Sequence, residues 1–398
     1  MLYRKMPNGD ELSILGYGCM RFPMRDGGID EPRAIAQMRS AIDRGVNYLD
    51  SAWPYHGGAS EVVLGKALRD GYRDRVKVAT KLPSWMIQSR ADMDRFLNAQ
   101  LQKLGTDHID YYLVHSLMGP TWDAIYEKGI LDFLDAARRD GRIVNAGFSY
   151  HGLERDFSRV VDAYPWVFCQ IQYNYLDTHA QAGTAGLRYA ASRGLGVVVM
   201  EPLRGGNLTQ PAPAIDAIWN ESPIRRTPAE WALRWVWNHP EVTVVLSGMN
   251  DEAQIDENIK VASTALSNAL TQDELDLVDR VAGKYHSLLK VGCTGCAYCM
   301  PCPSDVLIPM AFEVYNKGHL FGKMEDAKFG YALHLSRMIG SGIPGYASQC
   351  TACGACMDKC PQQLPIPDLL AQVEAELEGP DILDRVARLR AIFKNKAT

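Results

Sequence analysis

VNYLDSAWPY, residues Val46 to Tyr55, is the stretch on which the reading of this chain turns. Val46 to Leu49 is a short apolar strand that ends on Asp50, and a brief loop then carries Tyr55. An acid at a strand tip with a tyrosine just beyond it has two readings. Asp50 could cap a helix starting near Ala59 while Tyr55 packs a loop, or the two could do chemistry. Two later strands bear on the choice. VKVATKL places Lys81 just past its end, and HIDYYLVH ends on His115. A carboxylate, a phenol, an amine and an imidazole thus stand at or just after the tips of three successive strands. His115 alone would read as a satisfied core histidine; four compatible groups at neighbouring tips read as an active site.

Outward from that stretch the chain repeats one pattern. Helical stretches end on a glycine suited to the left-handed position after a helix, and a short β-rich run follows. Gly45 precedes Val46–Leu49, Gly71 precedes Val76–Ala79, and Gly105 precedes Ile109–Val114. Gly141 precedes Ile143–Phe148, and Gly194 precedes Val197–Met200. Val167–Tyr173 and Val242–Leu246 follow Pro165 and Pro240, and Leu15–Met20 is the first of eight strands. Short, nearly all-apolar strands between helices argue for a parallel sheet buried on both faces. Eight such units in about 250 residues fit a closed (β/α)8 TIM barrel. An N-terminal hairpin, LYRKM and ELSIL around Pro7 to Asp10, comes before it. An open doubly wound sheet is the alternative, but no G-x-G-x-x-G turn follows the first strand. In a barrel the strand tips converge on one mouth, which would gather Asp50, Tyr55, Lys81 and His115.

The 398 residues allow one large domain and a smaller one. A formal net charge of −5 leaves no basic footprint for nucleic acid or an anionic membrane. The longest apolar run, around Leu195 to Met200, is far too short for a membrane span. MLYRKMPNGD has no apolar h-region, so a cytoplasmic location is expected.

Asp50, Tyr55, Lys81 and His115 resemble, in type, order and approximate spacing, the catalytic tetrad of the aldo-keto reductases. The resemblance spans roughly residues 2 to 284 and includes GFS ending on Ser149, QIQYN from Gln170, EPLRGG from Glu201, and DEAQIDEN closing on Asn258. It implies a nicotinamide cofactor whose carboxamide is held by Ser149 and Gln170, near Gly18, Cys19, Met20 and Asp50. Leu203 to Gly206, with Arg204, would wrap the pyrophosphate, and Asn258 would approach the adenine. Glu201 and Ser247 fall in the same set of contacts. Met200 stands where the family commonly stacks a tyrosine on the nicotinamide. Val244 to Ile259, the loop that usually carries a cation for the 2′-phosphate of NADPH, contains no Lys or Arg. A phosphate wants a cationic, preferably forked donor, so NADPH and NADH, or a remote arginine such as Arg204, all stay open.

The four residue types belong together chemically. Carbonyl reduction needs a hydride to carbon and a proton to oxygen. A phenol of ordinary pKa about 10 is a weak acid at neutral pH, and a nearby ammonium is expected to lower it. Asp50 would hold Lys81 charged, and His115 would orient and polarise the substrate oxygen.

Cysteine usage divides the chain. Two of ten, Cys19 and Cys169, lie in the first 292 residues and read as buried packing; the rest fall between Cys293 and Cys360. Cys293-x2-Cys296-x2-Cys299-x2-Cys302-Pro303 is followed by Cys350-x2-Cys353-x2-Cys356-x3-Cys360-Pro361. The second is the bacterial ferredoxin run in full, and the first is one residue short before its last cysteine. Paired C-x2-C can also bind zinc, but two four-cysteine runs each closed by Cys-Pro favour two 4Fe–4S clusters. In two-cluster ferredoxins the fourth cysteine of each run serves the other run's cluster. That predicts Cys293, Cys296, Cys299 and Cys360 around one cluster and Cys350, Cys353, Cys356 and Cys302 around the other. The 47 residues between the runs, with AKFGYALHLSRMIG, and the spacing of Ile366, Leu369, Leu370, Val373 and Leu377 read as helices. The domains expected are a barrel over 1–284 and a small α-helical, ferredoxin-like domain over 285–398. The whole chain resembles aldo-keto reductases with such an extension. Nicotinamide moves two electrons as hydride while each cluster takes one. The clusters are therefore either structural or in exchange with a redox partner protein. The alternative to an enzyme on a small carbonyl or alcohol is an electron-transfer or nicotinamide-sensing subunit.

Overall fold

In the computed structural model, which describes residues 1–337 and 343–394, the eight apolar runs form one closed barrel. A hairpin comes first: β1 (Tyr3–Lys5) pairs antiparallel with β2 (Glu11–Ser13), Arg4 opposite Leu12. The first barrel strand is β3 (Leu15–Gly18). A small second hairpin, β4 (Met24–Arg25) with β5 (Gly28–Ile29), follows it. The remaining barrel strands are β6 (Tyr48–Asp50), β7 (Lys77–Leu82), β8 (Ile109–Leu117), β9 (Ile143–Tyr150), β10 (Phe168–Gln172), β11 (Gly196–Met200) and β12 (Val242–Ser247). Each pairs in parallel with its successor, and β12 returns to β3 with Val245 opposite Leu15. That last pairing closes the sheet and removes the open-sheet alternative. The five glycines that announced strands, Gly45, Gly71, Gly105, Gly141 and Gly194, all have positive φ.

Side chains on a strand alternate between faces with period two, and this places the site. Tyr48, Ala79, Leu113, Phe168 and Val198 form one buried cluster inside the barrel, joined by Met6 and Leu12 of the hairpin. The hairpin covers the end where the strands begin: a Cβ on Gly196, first residue of β11, would strike Met6. Gly147 lies in this layer because a Cβ there would sit 2.3 Å from the Phe168 ring. Two residues further along the same strands come Asp50, Lys81, His115, Ser149, Gln170 and Met200. The apolar floor and the polar layer above it are successive turns of one alternation.

β7 and β8 run past where their apolar pattern stopped, to Leu82 and Leu117. Lys81 and His115 are therefore inside strands rather than just past or at their ends. Parallel pairing continues through Lys81, opposite Leu113, because a polar side chain facing the interior does not interrupt backbone hydrogen bonds.

The chain divides into two compact units, Met1–Leu203 with Arg226–Leu275, and Arg204–Arg225 with the chain from Asp276 onward. The second unit is helical, with Ile308–Phe321, Met324–Leu335, Ile366–Val373 and Ile382–Lys394. Phe312, Tyr315, Tyr331, Leu335, Leu370, Val373 and Leu377 are buried in its core. The expected helix AKFGYALHLSRMIG is observed to Leu335, and its last residues, from Met338, lie outside the described residues. Among the described residues no helix is long and apolar enough to cross a membrane.

Candidate active site and cysteine cavities

Lys81 is the hub of the barrel mouth. Its Nζ donates to Asp50 Oδ1 at 2.5 Å, to the Ser51 carbonyl at 2.7 Å and to the Tyr55 hydroxyl at 3.4 Å. An ammonium has three protons, so these contacts use it fully. Lys81 is 1% exposed and Asp50 2%. Taking such a pair out of water costs on the order of several kcal/mol per ion. The apolar floor below contributes roughly 1.5–3 kcal/mol per large side chain and offsets that cost. The pair is thus poorly explained as a stabilising device, and buried charges of this kind mark functional sites.

Local structure brings Tyr55 to the hub. The loop after β6 turns with the Tyr55 amide donating to the Ala52 carbonyl at 3.2 Å. His56 then takes a left-handed conformation and stacks on Phe22, whose amide donates to its ring nitrogen at 3.1 Å. The next helix, Ser60–Ala67, is capped by Ala59 with no side-chain hydrogen bond, so Asp50 is not its cap. The Tyr55 and His115 rings meet edge to face with centroids 6.2 Å apart. The exposed Trp85 lies against the other side of His115, at 5.1 Å.

Burial sets the protonation states. It pushes the Tyr55 phenol well above its ordinary value, with Asp50, Cys19 and Glu201 adding to the rise. The net direction is the reverse of the lowering expected from Lys81, because burial of the phenol is the largest influence and Asp50 adds to it. Tyr55 accordingly keeps its proton. Burial also raises Asp50, opposed by Lys81 and then by the Gln170 amide. His115 is driven far below the usual histidine range by burial, then by Lys81 and His151. It is neutral.

Most of the expected cofactor contacts surround this hub. The Cys19 amide donates to the Asp50 carbonyl at 2.8 Å, and Gly18 packs on the Ser247 backbone. The Cys19 thiol is buried and its pKa raised by burial. Ser149 Oγ accepts from the Ser116 amide at 2.7 Å. The Gln170 side-chain oxygen is buried with no hydrogen-bond partner among the described residues. A nicotinamide carboxamide brings an N–H donor and a carbonyl acceptor, so this oxygen beside the Ser149 hydroxyl fits it. Asn258 donates to Ser247 Oγ at 2.9 Å. Met200 ends β11, and Glu201 follows with φ +54°. Met20 lies in the loop beyond β3. Leu203 closes the barrel unit, whereas Arg204 and Gly206 fall in the second unit. There the buried Arg204 donates to the Gly292 carbonyl at 3.1 Å.

Two groups escaped the sequence reading. His151, two residues past Ser149, is buried with a pKa lowered to about 4, chiefly by burial. It pairs with Gln181 at 3.1 Å, Gln181 donates to Gln172 at 2.7 Å, and Gln172 donates to Asp177 at 3.0 Å. A histidine so soon after a strand-tip serine was a usable signal. Arg33 was hidden because its partners are distant in sequence: it holds Asp251 at 3.2 Å and, more tightly, Glu252.

In the second unit the eight clustered cysteines form no disulfide and line two cavities. One is lined by Cys293, Cys296, Cys299 and Cys360 with Ile308, Phe312 and Leu364. The other is lined by Cys302, Cys350, Cys353 and Cys356 with Ser304 and Thr351. Among the described residues no three His, Cys, Asp or Glu side chains converge as ligands of a single metal ion. Four thiols spread around a cavity suit a larger inorganic cluster better than zinc. The approach to Cys293 is fixed by Asn316, which accepts from the Lys290 and Val291 amides and donates to the Val291 carbonyl.

Comparison with known proteins agrees with both halves. The profile of the aldo/keto reductase family matches residues 14–282, and that of a 4Fe-4S dicluster domain matches residues 292–364. An L-galactose dehydrogenase of Arabidopsis thaliana is 26% identical over 295 residues, covering 69% of this chain and 91% of its own. The holo form of an aldo-keto reductase from Bacillus halodurans superposes with a TM-score of 0.59 at 25% identity, covering 71% of this chain and 96% of that one. An aldo-keto reductase from Klebsiella pneumoniae solved with NADPH gives 0.58 at 23% identity, with coverage of 71% and 96%. The chain belongs to the aldo/keto reductase family, as an oxidoreductase of that type with a 4Fe-4S dicluster domain C-terminal to its barrel.

Proposed function

We propose that this chain moves hydride between a nicotinamide and a carbonyl or alcohol substrate, with Asp50, Tyr55, Lys81 and His115 as its catalytic residues. The observation that carries this reading is the buried Lys81 ammonium touching both Asp50 and a Tyr55 phenol that keeps its proton. When bound, the nicotinamide supplies or accepts the hydride. The chain manages the proton. Tyr55 gives its proton to the substrate oxygen in reduction and takes it back in oxidation. Lys81 stabilises the phenolate left behind, and Asp50 holds Lys81 in place. His115, neutral, donates from its ring to the same oxygen and fixes its position.

Gly18, Cys19, Met20, Asp50, Ser149, Gln170 and Met200 are assigned to the nicotinamide end. Glu201, Leu203, Arg204, Gly206, Ser247 and Asn258 are assigned to the rest of the cofactor. The resident nicotinamide is NADPH or NADH; the Klebsiella pneumoniae relative holds NADPH.

The domain from 285 onward carries two 4Fe–4S clusters in crossed wiring. Cys293, Cys296, Cys299 and Cys360 bind one; Cys350, Cys353, Cys356 and Cys302 bind the other. The cysteines that share each cavity support this reading. Eight cysteines without a disulfide suit a reducing compartment such as the cytoplasm, and a one-electron redox protein is the partner such clusters would serve.

The test is turnover. Anaerobic protein is mixed with NADH or NADPH and a panel of aldehydes, quinones and sugars, the last because one similar protein is a sugar dehydrogenase. Loss of reduced-nicotinamide absorbance with at least one carbonyl is expected. Cofactor binding without turnover on any of them would favour a sensing role.

A further inference from the structure

Thr294 stands between Cys293 and Cys296 and lines the cavity that those cysteines share with Cys299 and Cys360. It is only 3% exposed, and its hydroxyl has no hydrogen-bond partner among the described residues. A buried hydroxyl left without a partner costs about 1–3 kcal/mol, and such groups are rare enough to call for a cause. Apart from Gln362, the rest of that cavity's lining is thiols and apolar side chains, among them Ile308, Pro309, Phe312, Leu364 and Ile366. The other cavity differs. Its hydroxyls, Ser304 and Thr351, bond each other at 3.2 Å near the exposed Cys353.

We infer that the Thr294 hydroxyl is a hydrogen-bond donor to sulfur of the cluster held by Cys293, Cys296, Cys299 and Cys360, and raises that cluster's reduction potential. The inference rests on the two-cluster reading above. A one-electron reduction adds negative charge to the cluster, delocalised onto its sulfurs. A donor aimed at sulfur therefore stabilises the reduced state more than the oxidised one. Hydrogen bonds to sulfur and solvent exposure are among the protein's levers on these potentials. In a mostly apolar cavity the single hydroxyl acts at low dielectric, where it has most effect. Thr294 is a tuning residue here, not a ligand.

The experiment is an anaerobic redox titration of the full-length, cluster-loaded protein, with dithionite as electron donor and electron paramagnetic resonance as readout. Thr294→Val keeps the shape and removes the hydroxyl; Thr294→Ser keeps the hydroxyl. The expected result is a downward shift of one of the two one-electron midpoints in Thr294→Val, with Thr294→Ser close to wild type. Thr351→Val, in the other cavity, should leave that same midpoint unmoved. A Thr294→Val protein that assembles only one cluster while Thr294→Ser assembles both would also support the contact. Unchanged midpoints in a fully loaded Thr294→Val would overturn the inference. Iron and acid-labile sulfide are measured first in the wild type. A protein that cannot be loaded with two clusters overturns the two-cluster reading itself, a different failure from an unmoved midpoint.

Discussion

Histidines that stay neutral in a cationic neighbourhood are the most informative single residues of the barrel mouth. His115 and His151 are both buried, and Lys81 pushes both down. In the unfolded chain their imidazoles take up protons below about pH 6.5; in the folded chain His151 does so only near 4. The unfolded state thus binds more protons as pH falls through this window, and stability falls with it. The loss from His151 should be on the order of 3 kcal/mol by pH 4. Denaturant midpoints measured across that window check this: the acid-side loss should shrink in His151→Gln. An identical loss in that variant would mean that His151 is not buried and neutral. The same burial predicts no inflexion of carbonyl-reduction kcat near pH 6.5. Residue types at strand tips were legible in the sequence because chemistry restricts them. The direction of the Tyr55 shift was not, because it is set chiefly by how deeply the phenol is buried, which only the three-dimensional packing decides.

Elements were legible wherever one period held. The eight strands and the glycine before five of them follow from apolar runs and punctuation. Strand ends were misjudged at β7 and β8, since a lysine or histidine facing inward looks like the end of an apolar run. The β4–β5 hairpin was overlooked although Asp26 and Gly27, both at positive φ, form its turn. The loop after β12 shows a sequence feature given meaning by structure. It carries no cation of its own; Arg33 reaches it and is engaged by Asp251 and Glu252, Arg44 pairs with Asp256, and the Arg21 side chain packs against Gly248. The hold of Arg33 keeps the Glu252 carboxyl down at about 2, so Glu252 is charged at any working pH. A 2′-phosphate arriving at Arg33 would compete with two carboxylates for its guanidinium. NADH should therefore bind at least as tightly as NADPH. Fluorescence titration of anaerobic protein with both reduced forms decides this, and a preference of ten-fold or more for NADPH would contradict it. Arg33→Ala should weaken neither form by more than a few-fold.

For the whole molecule, the sequence divides chemistry between two modules, and the structure refines how each is held. The helices of the second unit bury a core of their own, including Phe312, Tyr331 and Leu370. Glu378 adds to it by accepting from Tyr331 and Ser348, just ahead of Cys350. Thiolate–iron bonds add folding free energy where they close loops. Removing the clusters with chelator and oxygen should thus loosen residues 291–307 and 343–365 and leave the helices Ile308–Phe321 and Met324–Leu335 folded. The barrel should be untouched. Hydrogen exchange before and after removal reads this out by segment. Loss of protection throughout the second unit would mean that the clusters, rather than the helical core, hold it together.

The central claim is that Tyr55 handles the proton in a nicotinamide-dependent reaction, positioned by Lys81 and Asp50. Tyr55→Phe deletes one oxygen and leaves the ring that meets His115. General acid–base groups typically contribute about 100- to 10,000-fold. The measurement is kcat of Tyr55→Phe with the best carbonyl substrate, beside its dissociation constant for the reduced nicotinamide. A fall in kcat of that size with nicotinamide binding unchanged is predicted, and near wild-type turnover would contradict the account.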